Sequence, residues 1–337
     1  MNASTPPRVG ITGIGAHLPR GRASSEQVQD RIARTSGLPL APGLITRLTG
    51  IDTRCVAGEQ EYASTLAVPA ARQALAAAGL DPLDLDLLLF ASASRDVAEP
   101  ATAHIVQAEL GSRAHALDVT NACNSFLNGI DLARSAILAG RAQRALVVTG
   151  ETPTRAIRWR LSDPEQIFGA FAGYTFGDAG AAVVVEPVAR GGIVDIDTET
   201  HSEHWPVGGI LGGGSRHPRS EEHTYFHGDG RALRGVFEKI GAGLLDRVGY
   251  RTGLALADYA KVLVHQVTLP YLERFVEVTG VPADRLEVTV AELGNLASAT
   301  LGVQLARVAP GLAAGDRVLF VGLGGGVSLM TMVWEKS

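Results

Sequence analysis

LDVTNACNSFLNGIDLARSAILAGRAQRALVVTG, residues 117–150, is the stretch from which the rest of the chain can be read. Its pattern is that of a short buried strand, a tight turn carrying Cys123, a helix and a second strand. The extended run 116–119 gives way to a 3.6-residue period through Phe126, Leu127, Ile130, Leu132 and Ile137, which puts the thiol at or near a helix start. Unpaired backbone N–H groups and the positive end of the helix dipole favour a thiolate there, and the thiolate is the nucleophilic form. The competing reading is a small cysteine packed as a hydrophobe. Two distant segments, around His265 and Asn295, decide between them.

Upstream, 9–14 reads as a first strand, 25–36 as a helix, and 44–51, LITRLTGI, as a segment leading into a polar hairpin-like stretch at 53–58. Ser64 or Thr65 can cap a helix that runs to about Ala78 and stops at Gly79. Residues 87–91 form a continuous apolar run, the mark of a strand buried on both faces. A loop at 92–100, SASRDVAEP, then leads into a helix at 101–110. Downstream, 144–149 is a buried strand and 180–186 another. Between 201 and 230 lies a polar insertion with five of the nine histidines, too long for a simple turn. A helix at 231–248, a strand at 261–264, helices at 269–278 and 297–308, and strands at 317–321 and 327–334 complete the chain. The two parts repeat: NAC, helix, strand, FGDAGAA and strand in 1–190 answer LGN, helix, DRVLFV, GLGGGVS and strand in 191–337. This alignment sets Cys123 and Asn295 at equivalent helix starts.

Composition narrows the function. Of 337 residues 46% are hydrophobic and 19% charged, with 40 glycines, as expected of a globular α/β protein with many tight turns. A net charge of −5 with both signs scattered gives no basic stripe for nucleic acid and no polybasic run for an anionic membrane. No apolar run approaches the roughly 20 residues needed to span a bilayer, and MNASTPPRVG has neither the basic nor the apolar region of a secretory leader. Cys55 and Cys123 cannot make the disulfide framework of a secreted domain. A cytoplasmic protein acting on small molecules or another protein is expected.

His265, in VLVHQVTLP, directly follows a buried strand, so it emerges at a strand's C-terminal end, where α/β folds place their chemistry. Asn295 stands at the mouth of a helix in ELGNLASATLGVQL, and GLGGGVS makes a tight glycine turn before the last strand. Singly these read as a structural histidine, an N-cap and a turn. In this order, together with TRLTGI and a following arginine (Arg54), DVTNACNSFLNG, LVVTGE, FGDAGAA and VHQ, they resemble the thiolase superfamily, and within it the β-ketoacyl-acyl-carrier-protein synthase III family. The resemblance covers nearly the whole chain. It implies a thiolase fold, a five-layered αβαβα body of two pseudo-duplicated halves, usually a homodimer, with Cys123, His265 and Asn295 as the catalytic group. Acyl-CoA or an acyl carrier protein would be substrate and partner, with no cofactor and no metal.

The implied chemistry has two stages. Cys123 takes an acyl group from a thioester, with the N–H groups of Cys123 and Gly325 stabilising the oxyanion. His265 and Asn295 then donate to the oxygen of a second thioester as it becomes an enolate, which attacks the acyl group in a Claisen condensation and yields a β-ketoacyl product. An intact Asn295 favours carbon–carbon bond formation over the alternative, transfer of the acyl group to a hydroxyl or amine. Two departures from the family pattern stand out. Glu99 occupies about the place where the housekeeping initiators bring an apolar residue across the dimer. This resembles the olefin-pathway enzymes that join two acyl-CoAs head to head, and it makes Glu99 a candidate intersubunit base. Near Leu44 and Leu48 the tryptophan and arginine that contact coenzyme A in many initiators are missing, which leaves Arg47, Arg155, Arg158 and Arg160 as candidates for a pyrophosphate or an acidic carrier, with solvated surface arginines the alternative.

Overall fold

Alternating side chains along buried strands organise the computed structural model, which describes residues 7–240 and 242–337, the side chain of Arg231 excepted. The leader-free reading of residues 1–6 lies outside the described residues. The elements of the first half are β1 (Arg8–His17), β2 (Gly21–Ser24), α1 (Ser25–Ser36), α2 (Leu44–Thr49), β3 (Thr53–Val56), α3 (Ala63–Ala78), β4 (Leu87–Ala91), α4 (Thr102–Leu110), β5 (His115–Val119), α5 (Ser125–Leu138), β6 (Ala145–Glu151), α6 (Gln166–Ala170) and β7 (Ala179–Val188). The second half has β8 (Gly192–Thr200), the two-residue strands β9 (Gly208–Gly209) and β10 (His227–Gly228), α7 (Gly230–Ile240), α8 (Gly243–Thr252), β11 (Lys261–Val264), α9 (Leu269–Thr279), α10 (Val290–Leu293), α11 (Ala299–Val308), β12 (Arg317–Gly324) and β13 (Ser328–Glu335).

Two mixed sheets carry the body, in the orders β1-β7-β6-β4-β5 and β11-β12-β13-β8. In both, the strand opening the half pairs antiparallel with the closing strand, which pairs antiparallel with its predecessor, which in turn pairs parallel with the next. Leu87, Leu89 and Ala91 of β4 face a central core with Phe126 and Ile130 of α5, Leu301 and Leu305 of α11, and Phe320, Met330 and Trp334 of the second sheet. Leu88 and Phe90 face the other way, onto α3 and α4. Val262, Val264, Leu319 and Val321 likewise turn outward onto α8 and α9. The layers are therefore helices, sheet, helices, sheet, helices: the αβαβα thiolase fold that the resemblance implied.

Among the described residues the second sheet has no counterpart of β5. A single bridge between Val262 and Leu286 stands where β4 pairs with the whole of β5. Where a single helix is expected over 231–248, there are two, α7 and α8, because Ala242 leaves the helical region (φ −92°, ψ 8°). Thr65 closes the start of α3, its hydroxyl accepting from the N–H of Tyr62 at 2.6 Å.

Helix α3 lies unusually close to the first sheet. A Cβ on Gly180 would overlap the carbonyl oxygen of Leu66, and one on Gly15 that of Ala70, so the helix rests on bare backbone. Gly180→Ala should cost about 1–3 kcal/mol of stability by overpacking. A denaturant melt superimposable on wild type would contradict that packing.

Candidate active site

Cys123 sits two residues before α5, in a turn forced by Ala122, whose φ of 46° is unusual for a residue with a side chain. Ala297 repeats this conformation in the second half (φ 48°). Ser125 Oγ donates to Ala122 O at 2.7 Å, and Thr300 Oγ1 to Ala297 O at 3.0 Å. These matched turns correct the internal alignment: the counterpart of Cys123 is Ser298, and Asn295 stands three residues earlier. The LGN and NAC strings misled because both precede a helix without sharing its register.

The turn is locked to the other half of the protein. Asn124 Nδ2 donates to Ser328 O and Ser328 Oγ at 2.8 and 2.9 Å, and a Cβ on Gly322 would overlap Asn124 Oδ1. The closing hairpin between β12 and β13 thus comes up against the turn carrying Cys123, and the backbone N–H groups of Gly325 and of Cys123 itself lie near enough to the sulfur to pull its pKa down. These are the two donors expected for an oxyanion.

The other two side chains enter from adjoining elements. The N–H of His265 donates to Val321 O at 3.0 Å, which sets the residue beside Gly322 at the end of β11. Asn295 exchanges backbone bonds with the segment ahead of β7, donating to Thr175 O at 2.8 Å and accepting from Gly177 N at 2.9 Å. Its Oδ1 accepts from Ala297 N at 3.0 Å, which commits the oxygen and leaves Nδ2 as the outward donor. Fully buried Arg54 braces this segment by donating to Tyr174 O and, at 2.6 Å, to Ser25 Oγ, and burial lowers its pKa to about 10.

Electrostatically the site differs from the sequence-based expectation. Burial and the nearby Glu151 carboxylate push the Cys123 thiol up to about 12, against the pull of the Gly325 and Cys123 N–H groups. Desolvation of the anion outweighs the helix terminus. Burial also lowers His265 to about 4, so its ring is neutral at pH 7, and Nδ1 is buried without a partner. Nucleophile and imidazole therefore rest as an uncharged pair. Sequence reasoning missed Glu151 and Ser298, although LVVTGE and the serine of NLAS were both in view.

Other candidates lie apart. Glu99 is exposed on the protomer surface. Arg155 donates to the carbonyls of Gly58, Glu59 and Glu61 and stacks on Tyr62, tying down a loop. Arg158 donates to Glu222 O at 2.9 Å and packs on Tyr225. Arg47, exposed, donates to Pro42 O, and Arg160 is exposed. Among the described residues no three His, Cys, Asp or Glu side chains gather as a metal site. A groove of about 70 Å³ between α7, α8 and α9 is lined by Phe237, Leu245, Tyr271 and Leu323. It lies on the opposite face of β12 from Asn124 and is not part of this site.

Two family models match the chain, 3-Oxoacyl-[acyl-carrier-protein (ACP)] synthase III over residues 117–203 and its C-terminal part over 250–336. The 3-oxopimeloyl-[acyl-carrier-protein] synthase of Rhodothermus marinus is 34% identical over 331 residues, covering 95% of this chain and 91% of the relative. The β-ketoacyl-[acyl-carrier-protein] synthase III of a Roseiflexus species is 31% identical over 333 residues, with 96% and 97% covered. The chain belongs to the β-ketoacyl-[acyl-carrier-protein] synthase III family. Among solved structures, a cysteine-to-serine variant of Xanthomonas campestris OleA with bound lauric acid and lauroyl-CoA superposes with a TM-score of 0.87 at 25% identity, over 98% of this chain and all of that one. The cysteine and the histidine substituted in OleA structures stand the same distance apart in sequence as Cys123 and His265. A glutamate substituted in another stands slightly further ahead of its cysteine than Glu99 does of Cys123.

A thiol held near 12 ionises little at neutral pH. Alkylation of Cys123 by iodoacetamide should quicken roughly tenfold per pH unit from about pH 7 to about pH 10 without levelling. A plateau near about pH 8.5 would mean an unperturbed thiol.

Proposed function

We propose that Cys123 takes an acyl group from an acyl-CoA or acyl carrier protein and that a second thioester, made into an enolate, then attacks it to give a β-ketoacyl product. The observation that carries this reading is the pair of N–H groups, from Cys123 and Gly325, that act on the half-buried Cys123 sulfur. When the sulfur becomes a thioester, the carbonyl oxygen takes up their bonds as it gains negative charge. His265 donates through Nε2–H to the second thioester oxygen, with its buried Nδ1 left as the unprotonated nitrogen, and Asn295 donates through Nδ2. A neutral imidazole is the right form for this work, because a donor is needed and a charged ring would be costly to bury.

The enolate needs a source of electrons, and the protomer offers no ready base. His265, lowered to about 4, is too weak. Glu151 is already saturated by donors, as described below. Two routes fit: loss of CO2 from a malonyl unit, which needs no base, or removal of an α-proton by Glu99 of a second copy. The second copy would pair at the open edge of β5, the outer strand of the first sheet. The loop carrying Glu99 leads into α4, whose first N–H groups, on Thr102 and Ala103, are held by Asp118 of that same strand at 2.9 and 2.8 Å. Exposed Arg47 and Arg160 remain available for an anionic carrier. Two free cysteines and the absence, among the described residues, of a helix long and apolar enough to cross a membrane fit a cytoplasmic setting.

Incubation with lauroyl-CoA should add one lauroyl mass to Cys123, and Cys123→Ala should abolish it. Asn295→Ala should keep acylation and lose about 10²–10³ in the carbon-bond step, as loss of an oxyanion donor does. Equal loss of both half-reactions would overturn these roles. Release of CO2 with a β-keto product indicates the malonyl route, whereas a β-keto product without malonyl indicates the head-to-head route. An ester or amide product would remove condensation altogether.

Light scattering should return twice the chain mass. Glu99→Gln in that dimer should spare acylation and slow only condensation without malonyl. A monomer that condenses two lauroyl groups would rule out the intersubunit base.

A further inference from the structure

Glu151, the last residue of β6, is fully buried and has no cationic partner among the described residues. Five N–H and O–H groups surround its carboxylate, the single proton of Ser92 Oγ being shared with Gly150 O at 2.7 Å. On one oxygen converge Ser92 Oγ at 2.9 Å, Ala93 N at 2.7 Å and Ser298 Oγ; on the other, Ser94 N at 3.1 Å and Ser94 Oγ at 2.7 Å. Ser298 Oγ also lies 2.7 Å from Thr149 Oγ1. Since Ser298 gives its proton to Glu151, Thr149 is the donor in that contact. One carboxylate thus joins the end of β6, the root of the loop that carries Glu99, and the second-half turn equivalent to the nucleophile turn.

A buried carboxylate satisfied by hydroxyls and amides alone is costly to place, and a glutamine could not accept at both of its terminal atoms. Its contacts run in a definite direction. Ser298 follows Ala297, whose N–H holds Asn295 Oδ1, so the orientation of the Asn295 amide is inherited from the Glu151 contact. We propose that Glu151 is a positioning residue: by gathering Ser92, Ser94 and Ser298 onto one carboxylate it holds the Ala297 turn, and with it the Asn295 amide, in register with Cys123.

The same placement has an electrostatic consequence. Among the described residues Glu151 is the charged group that weighs on the Cys123 thiol, and its effect is to keep the sulfur protonated. His265 is neutral and the remaining groups packed around the carboxylate, Thr149, Ser92, Ser94 and Ser298, carry no charge. Removing the charge therefore moves the thiol titration to lower pH, an effect that loss of packing alone would not produce.

The inference rests on the reading of Cys123 as the acyl carrier, and the experiment separates the two. Wild type, Glu151→Gln and Ser298→Ala are each treated with iodoacetamide across a pH series and, separately, with lauroyl-CoA in the presence and absence of malonyl-CoA. Peptide mapping distinguishes Cys123 from Cys55. In Glu151→Gln, alkylation of Cys123 at neutral pH is expected to rise at least about threefold while product formed per acyl-enzyme falls at least about tenfold. Ser298→Ala retains the charge, so its alkylation profile stays close to wild type while product per acyl-enzyme falls. An unchanged alkylation profile in a folded Glu151→Gln, or unchanged condensation in Ser298→Ala, overturns the proposal. If Glu151→Gln does not fold, Ser298→Ala decides alone. Failure of wild type to take up the lauroyl group would instead defeat the reading of Cys123, and the iodoacetamide series would still report on Glu151.

Discussion

Gly322 has no side chain, and the position of the nucleophile depends on that. Asn124 fills the space where its Cβ would be and binds the closing hairpin through Ser328. Because Asn124 is covalently next to Cys123, this one contact sets the sulfur against Gly325 across a junction of more than two hundred residues of sequence. The proposed donors to the oxyanion are backbone groups contributed by both halves. A looser junction would leave each half folded and the pair of N–H groups misaimed, and alignment of donors is the property on which such stabilisation depends.

The second constraint is the cost of charge. Everything placed around the sulfur is neutral at rest except Glu151, and Glu151 is of the wrong sign to stabilise a thiolate. A site built this way keeps its nucleophile protected as a thiol. Charge then develops only when a thioester occupies the position to which Gly325 and Cys123 donate, where it is met by groups already in place. Preorganised dipoles in a dry site need no rearrangement at that moment, which is why a neutral resting state and fast acyl exchange are compatible.

The layers were legible because strand and helix periods are strong signals over the central segments. Leu87 to Ala91 and the helix after Cys123 announce their burial by composition alone, and the glycine-bounded turns marked most element ends. Cys123, His265, Asn295 and Gly325 were readable as a set through their order along the chain. Ser298 was hidden by an alignment based on letters, when the true register lies in the positive φ of Ala122 and Ala297, which no letter records. Glu151 was hidden for a different reason: a glutamate at a strand end is ordinarily at the surface, and only the fold brings Ser92, Ser94 and Ser298 to it. The thiol pKa was misjudged because a sequence shows the helix start but not the depth of burial.

Duplication explains why the two halves could diverge in chemistry without losing their frame. Both turns before the central helices need the same strained residue and the same hydroxyl, Ser125 in one and Thr300 in the other, folding back onto its carbonyl. What differs is the residue that follows the strained position: Cys123 faces the acyl site, while Ser298 faces Glu151. Where the first half has a sulfur the second has a hydroxyl, and that hydroxyl serves as a strut: it ties the Ala297 turn, whose N–H holds Asn295 Oδ1, to Glu151. The catalytic group is therefore asymmetric on a symmetric scaffold. Its asymmetry begins at a single pair of equivalent positions, Cys123 in one half and Ser298 in the other, and the proposed roles of bond making and of holding the Asn295 amide divide between them.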